Sequence, residues 1–211
     1  MTIDDQLRLR SDAELEIQNE GLIIIKEKLT KIGIKHFLSS GTLLGAVRDK
    51  NFIRWDWDVQ MYLLREDAYP FKEKITKSLI EAGFTIDKYD NSKETLKWVL
   101  IKKNVVYELT AWSLEGKWRY RRNKTMKVPA YLFEGKYIIN FKGTDYPTLN
   151  PPEEYLEFCY GDWQTPKRTS NKEIYSNSTH LSDYKKTNKY FNLIKKNIVK
   201  FLKNFNLFQQ K

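Results

Sequence analysis

Trp55-Asp-Trp-Asp-Val59 alternates large apolar side chains with carboxylates, and a period of two belongs to an extended strand rather than a helix. On such a strand Asp56 and Asp58 share one face, close enough to hold a divalent cation between them. Trp55, Trp57 and Val59 are then expected to point the other way, into a core. Just upstream lies Ser39-Ser-Gly-Thr-Leu-Leu-Gly-Ala-Val-Arg48, a glycine turn that leads into a predicted short helix over Thr42 to Lys50. A helix N-terminus offers free backbone N–H groups and the positive end of its dipole, both suited to a phosphate. Either piece alone is common, and solvated carboxylates are the ordinary explanation of an Asp-x-Asp pair. Both in that order, within about twenty residues, point to a site. The indoles beside Asp56 also argue against a plain surface strand, which would expose them; core packing and stacking on a nucleobase are the uses open to them.

The rest of the chain reads as interspersed helices and short strands. Asp12 to Ile32 has the apolar spacing of a helix, with Asp12 available as its cap and Gly33 as its stop. Ile34 to Leu38 and Trp55 to Leu64 are strand candidates, and Ala68 to Ala82 reads as a helix closed by Gly83. Phe84 to Tyr89 follows as a strand. Leu96 to Ile101 and Val105 to Trp112 form a predicted hairpin around Lys102-Lys-Asn104. Within it Glu108, flanked by Tyr107 and Leu109, is placed to supply a third oxygen ligand. Residues 113–150 carry only short strand-like pieces such as Lys136 to Phe141. Pro151-Pro152 starts a helix over Glu153 to Tyr160, ended by Gly161.

Composition narrows the function classes. One cysteine, Cys159, and two histidines, His36 and His180, exclude a disulfide framework and leave too few ligands for an ordinary structural zinc site. Cys159 reads as a buried helix residue and His36 as a packing residue, not as a nucleophile and a ligand. Uninterrupted apolar runs extend only a few residues, and Met1-Thr-Ile-Asp-Asp-Gln lacks the pattern of a signal peptide, so a cytoplasmic location is expected. The net charge is +10 over 211 residues, but Asp183 to Lys211 alone holds eight lysines against one acid. Phe191, Ile194, Ile198, Phe201, Leu202 and Phe205 recur there at helical spacing, the pattern of an amphipathic basic helix. It can pack on the body, lie peripherally on the inner face of an anionic membrane, or meet nucleic acid, the last being the least favoured.

Three segments carry a family resemblance: Ser40-Gly-Thr-Leu-Leu-Gly-Ala-Val-Arg48, Phe52-Ile-Arg-Trp-Asp-Trp-Asp58, and Pro152-Glu-Glu-Tyr-Leu-Glu-Phe-Cys-Tyr-Gly-Asp-Trp163. In that order they resemble the motifs of the LicD family of phosphocholine and fukutin-type ribitol-phosphate transferases, over roughly residues 15–168. The resemblance implies an α+β, nucleotidyltransferase-like fold, a mixed sheet flanked by helices. The domain layout expected is a catalytic domain over 1–168, a polar linker over 169–182 and the basic helix over 183–211. It also implies transfer of a substituted phosphate from a CDP-activated donor to a hydroxyl of a glycan or glycolipid, with Mg²⁺ or Mn²⁺.

Carried over residue by residue, Asp56, Asp58 and Glu108 become the catalytic and metal-holding acids, and Gly41, Thr42 and Arg48 the donor-phosphate side. Where the family has a further acid, this chain has Gln60. Two registers follow: Asp56 with Asp58 holds the metal, or Asp58 does so with Gln60 as a neutral and weaker donor. Positions 56, 58 and 60 share a face in both, so parity does not separate them. Arg119, Arg121, Arg122 and Lys127 form a basic group that could hold a pyrophosphate or simply be solvated. Two other functions remain open: nucleotidyl transfer from an NTP, and a basic binding protein with a decayed site.

Overall fold

The computed structural model describes residues 7–92, 95–121, 126–171, 174 and 176. Helix α1 (Asp12–Ile32) is capped by Ser11 rather than Asp12, through a capping box in which Ser11 and Glu14 satisfy each other's backbone N–H groups. Leu15, Leu22, Ile25 and Leu29 form its buried stripe. Each fully buried leucine of this kind contributes about 1.5–3 kcal/mol. Gly33 closes the helix in the left-handed conformation.

The strands among the described residues are β1 (His36–Leu38), β2 (Asp58–Leu64), β3 (Thr85–Asn91), β4 (Leu96–Lys102), β5 (Val105–Glu115), β6 (Trp118–Arg121), β7 (Met126–Pro129), β8 (Tyr137–Phe141) and β9 (Thr144–Thr148). They make a mixed sheet in the order β3-β4-β5-β2-β1-β9-β8, with the β6–β7 hairpin continuing from the far end of β5. The pairs β2–β5 and β1–β9 are parallel and the others antiparallel. The helices are α2 (Ser40–Leu44), α3 (Arg65–Ala68), α4 (Lys72–Glu81) and α5 (Pro152–Tyr160), with a π-helical turn over Gly45–Asp49.

Three sequence expectations shift. The helix expected over Thr42 to Lys50 starts at Ser40 and loosens into the π turn, where Gly45 lies so close to the Asn51 carbonyl that a Cβ would sit 2.5 Å from it. The long helix expected over Ala68 to Ala82 divides into α3, a 3₁₀ turn at Tyr69–Phe71 and α4, and Pro70, which lacks an N–H, lies in the turn. The strand expected from Trp55 begins only at Asp58. The preceding residues turn, with the Asp56 N–H donating to the Ile53 carbonyl at 2.9 Å. Trp57 therefore leaves the alternation and is half-buried outside the core.

Register divides the sheet into two faces. Val59 and Met61 of β2 lie beside Tyr107 and Leu109 of β5 and Leu100 and Trp98 of β4. This apolar face packs on helices: the Tyr107 hydroxyl donates to the Ile17 carbonyl of α1 at 2.8 Å, and the Trp98 indole to Thr76 of α4 at 2.8 Å. Gly21 of α1 faces the Tyr107 ring, leaving no room for a side chain there. The opposite face carries Asp58, Gln60 and Tyr62 of β2 with Glu108, Thr110 and Trp112 of β5. Helix α5 covers part of this face, Tyr155 meeting Tyr62 edge-on. The basic helix expected over 183–211 and most of the linker lie outside the described residues.

Candidate active site

A cavity of about 400 Å³ opens on the polar face, lined by Gly41, Asp56, Asp58, Gln60 and Glu108. Elements far apart in sequence meet here. The turn before β2 delivers Asp56, the first residue of β2 is Asp58, and α2 brings Gly41 beneath Asp56. A Cβ on Gly41 would lie 1.9 Å from Asp56 Oδ2, so glycine leaves the carboxylate free to rest where it does.

Asp56 and Asp58 hydrogen-bond to each other, and both hold their protons more tightly than usual. Burial is the main cause. For Asp56 it raises the pKa to about 6, opposed by the hydrogen bond to Asp58 and the nearby Arg10 guanidinium. For Asp58 burial is reinforced by the negative charges of Asp56 and Glu108. Gln60 adjoins the pair as a donor: its amide nitrogen is 3.1 Å from Asp58 Oδ2, and its oxygen accepts the Gly41 N–H at 3.3 Å. That arrangement favours the register in which Asp56 and Asp58 are the paired acids.

The other sequence candidates are placed differently. Glu108 is buried on the same face, opposite Gln60, and pairs with Lys97 Nζ at 2.5 Å. Thr42 is buried, and its hydroxyl accepts the Gln60 N–H at 2.8 Å, tying α2 to β2. The N–H of Gly41 and the hydroxyl of Thr42 thus serve Gln60. Arg48 lines the cavity, but its fork pairs with the neighbouring Asp49 at 2.7 and 2.8 Å and reaches the Trp163 carbonyl at 3.3 Å. The basic group of the middle segment is dispersed: Arg119 pairs with Glu66, Lys127 lies over Trp118, Arg122 is outside the described residues, and Arg121 lines the cavity. His36 packs with its Nδ1 on the Ile34 carbonyl, and Cys159 is buried in α5 with its thiol pushed up to about 12 by that burial.

Sequence reasoning missed a hydroxyl network behind the glycine turn. Tyr62 lies 2.6 Å from Ser40 Oγ and 3.0 Å from the Tyr155 hydroxyl, which accepts the Ser40 N–H at 3.3 Å. Ser40 has a positive φ of 51°, uncommon outside glycine, and these bonds hold it there. Lys97 was also missed, although the predicted hairpin turn already sets Lys97 opposite Thr110 and diagonal to Glu108.

The donor set suits a hard dication. Mg²⁺ takes oxygen ligands and is usually held by one or two carboxylates together with substrate phosphate and water. Two acids near enough to share a proton provide such a seat. Among the described residues no three His, Cys, Asp or Glu side chains converge as a metal-holding group. Among the described residues, Asp56 and Asp58 are a pair of acids that could hold such an ion, while Glu108 pairs with Lys97.

A mixed sheet flanked by helices, with a glycine turn set beneath a paired-acid strand, defines a nucleotidyltransferase-like domain. The family model described as "LicD/FKTN/FKRP, nucleotidyltransferase domain" matches residues 33–151, more than half of the chain, and the chain belongs to this LicD family. It is 29% identical over 161 residues to human ribitol-5-phosphate transferase FKTN, a match covering 71% of this chain and 34% of that one. A shorter match, 45% identical over 60 residues, is to an uncharacterised protein of Rickettsia typhi and covers 28% of this chain and 19% of the relative. The matched part thus spans about a third or less of these relatives. Among solved structures, the antibiotic-resistance factor ANT(2'')-Ia superposes with a TM-score of 0.45 at 8% identity, covering 64% of this chain and 66% of that one.

Proposed function

We propose that this protein is a divalent-metal-dependent phosphotransferase that moves a substituted phosphate from a CDP-activated donor to a hydroxyl of a glycan or glycolipid. The observation that carries the reading is the buried Asp56–Asp58 pair resting on Gly41 in a LicD-family domain. A Mg²⁺ or Mn²⁺ ion held by these two acids would neutralise charge on the donor diphosphate and on the departing CMP. The chain's own residues do the rest. Gly41 leaves room for the Asp56 carboxylate, and Gln60 fixes Asp58. Trp55, Trp57 and Trp163 line the cavity and offer flat surfaces for a nucleobase.

The acceptor oxygen attacks the phosphorus carrying the substituent as the bond from that phosphorus to the bridging oxygen breaks. CMP leaves with the bridging oxygen, and the hydroxyl proton passes to a carboxylate. Asp58 and Glu108 are the carboxylates available for that task, and Lys97 already engages Glu108. Holding the acceptor hydroxyl in line with the departing oxygen, together with charge neutralisation, is most of what phosphoryl transfer needs. No helix among the described residues is long and apolar enough to cross a membrane. The basic tail would bring the protein to the inner membrane face where a glycolipid acceptor is made.

Product analysis tests the proposal. With Mg²⁺ and CDP-ribitol, CDP-choline or CDP-glycerol, the protein should release CMP from one of them, and Asp58→Ala should abolish the release. Pyrophosphate release from CTP or ATP, with all CDP donors untouched, would overturn it in favour of nucleotidyl transfer.

A further inference from the structure

β6 places Arg119 and Arg121 on one face, both 7% exposed, and the two guanidinium groups have opposite surroundings. Arg119 has a carboxylate partner, although its Nε, like that of Arg121, is buried without a hydrogen-bond partner. It makes a forked pair with Glu66 at 2.7 and 3.2 Å and reaches the Trp112 carbonyl at 3.3 Å. Arg121 has no carboxylate paired to it among the described residues. Its one hydrogen bond is from Nη2 to Met126 Sδ at 3.1 Å, a weak acceptor, and its buried Nε has no partner. Its charge lies over two rings, 5.4 Å from the Tyr62 centroid and 5.2 Å from that of Trp112.

Burying a guanidinium without a counter-ion is costly, and ring contacts recover only part of that cost. An orphaned buried donor needs an explanation. The cavity supplies one, because Arg121 and Met126 line it together with Asp56 and Asp58. Of the other cations at the site, Lys97 neutralises Glu108 and Arg48 neutralises Asp49. A dication would neutralise the acid pair. Arg10 lies near Asp56, and Lys167 lines the cavity as a flexible, half-buried ammonium. Arg121 is the buried arginine lining the cavity without a carboxylate paired to it among the described residues, and its rigid fork matches two oxygens of one phosphate.

We propose that Arg121 is the anion-binding residue of the cavity, its guanidinium taking two oxygens of a ligand phosphate and holding it against the Asp56–Asp58 pair. Identifying that phosphate as the donor's diphosphate rests on the phosphotransferase reading above. The stacking on Tyr62 and Trp112 keeps the fork pre-oriented, so little side-chain freedom is lost on binding.

The test compares wild type with Arg121→Met and Arg121→Lys, titrating inorganic pyrophosphate, CDP and cytidine in Mg²⁺ by calorimetry, alongside thermal melts with and without each probe. In Arg121→Met, affinity for pyrophosphate and CDP should fall at least tenfold, about 1.4 kcal/mol. Cytidine affinity should stay unchanged, and the rise in melting temperature induced by pyrophosphate should be lost. Arg121→Lys keeps the charge without the fork and should fall between the two, which covers the case in which the methionine variant does not fold. A purely structural arginine would give a lower melting temperature with the pyrophosphate-induced shift intact, and that result overturns the proposal. If wild type binds pyrophosphate through Arg121 but gains nothing from CDP over pyrophosphate, the anion site stands and the CDP reading falls. If CDP binds both proteins equally, the CDP reading stands and Arg121 is not its anchor. Wild type binding neither probe refutes both.

Discussion

Replacing Asp56 by asparagine should make the metal-free protein more stable at neutral pH. The carboxyl has an ordinary pKa of 3.8 and is held at about 6 in the folded chain, chiefly by burial. A group that binds its proton more tightly when folded favours the folded state at low pH. That advantage is lost as pH rises from the unfolded value through the folded one, and above about 6 the penalty is complete. A shift of about two units at about 1.4 kcal/mol each sets a ceiling near 3 kcal/mol. Asp56 is half-buried, so cavity water lowers the figure, and about 1–3 kcal/mol is expected. The asparagine side chain keeps the shape over Gly41 and can still hydrogen-bond Asp58. Urea unfolding in EDTA from pH 4 to pH 8 measures the difference. Asp56→Asn should gain about 1–3 kcal/mol at pH 7, equivalent to several degrees in melting temperature, and the gain should shrink toward pH 4. Millimolar Mg²⁺ should then stabilise wild type and leave the variant unmoved. A variant less stable than wild type at pH 7, or a difference independent of pH, would refute the reasoning.

Gly41→Ala drives a methyl group into Asp56 Oδ2, but only the end of one side chain has to move. Unfolding free energy should stay within about 1 kcal/mol of wild type while Mn²⁺ affinity, read by electron paramagnetic resonance, falls at least tenfold. Lys97→Met leaves Glu108 buried without the ammonium 2.5 Å away, and should cost about 3–5 kcal/mol in urea unfolding at pH 7. Adding Glu108→Gln should return part of that loss, and strict additivity of the two changes would show that they do not interact. Tyr155→Phe removes the acceptor of the Ser40 N–H and a partner of the Tyr62 hydroxyl, and should cost about 1–3 kcal/mol by the same assay.

Asp58 and Gln60 were legible because strand parity fixes which side chains share a face, and the glycine because a glycine at a helix start marks a close approach, whereas Asp56 joins Asp58 from a turn that parity does not describe. The place of Glu108 on that face was legible too, since the β4–β5 hairpin turn fixes its register, but its pairing with Lys97 was not. Trp57 misled, whereas Trp55 does pack against the core. Alternation assigned Trp57 to the core, yet the strand starts one residue later, after a turn closed by the Asp56 N–H, and alternation cannot reveal that stop. Arg48 shows a second limit. Its side chain was read as free for phosphate, but the partner that takes its fork is the adjacent Asp49, with Trp163 reaching it from across the fold. Arg121 was legible only as one of a group of four basic residues in 113–150, because short strands there carry little periodicity to tell them apart. Once β6 is known, Arg119 and Arg121 fall on one face, and only tertiary structure decides which of them receives a carboxylate.

The central claim is that Asp56 and Asp58 form a metal-dependent seat for a CDP-activated donor. Calorimetric titration of CDP-linked donors into wild type and Asp58→Ala, each with Mg²⁺ and with EDTA, tests it most directly. One donor should bind wild type only when Mg²⁺ is present, and Asp58→Ala should bind none. Equal donor binding with and without metal, or undiminished binding by Asp58→Ala, would contradict it.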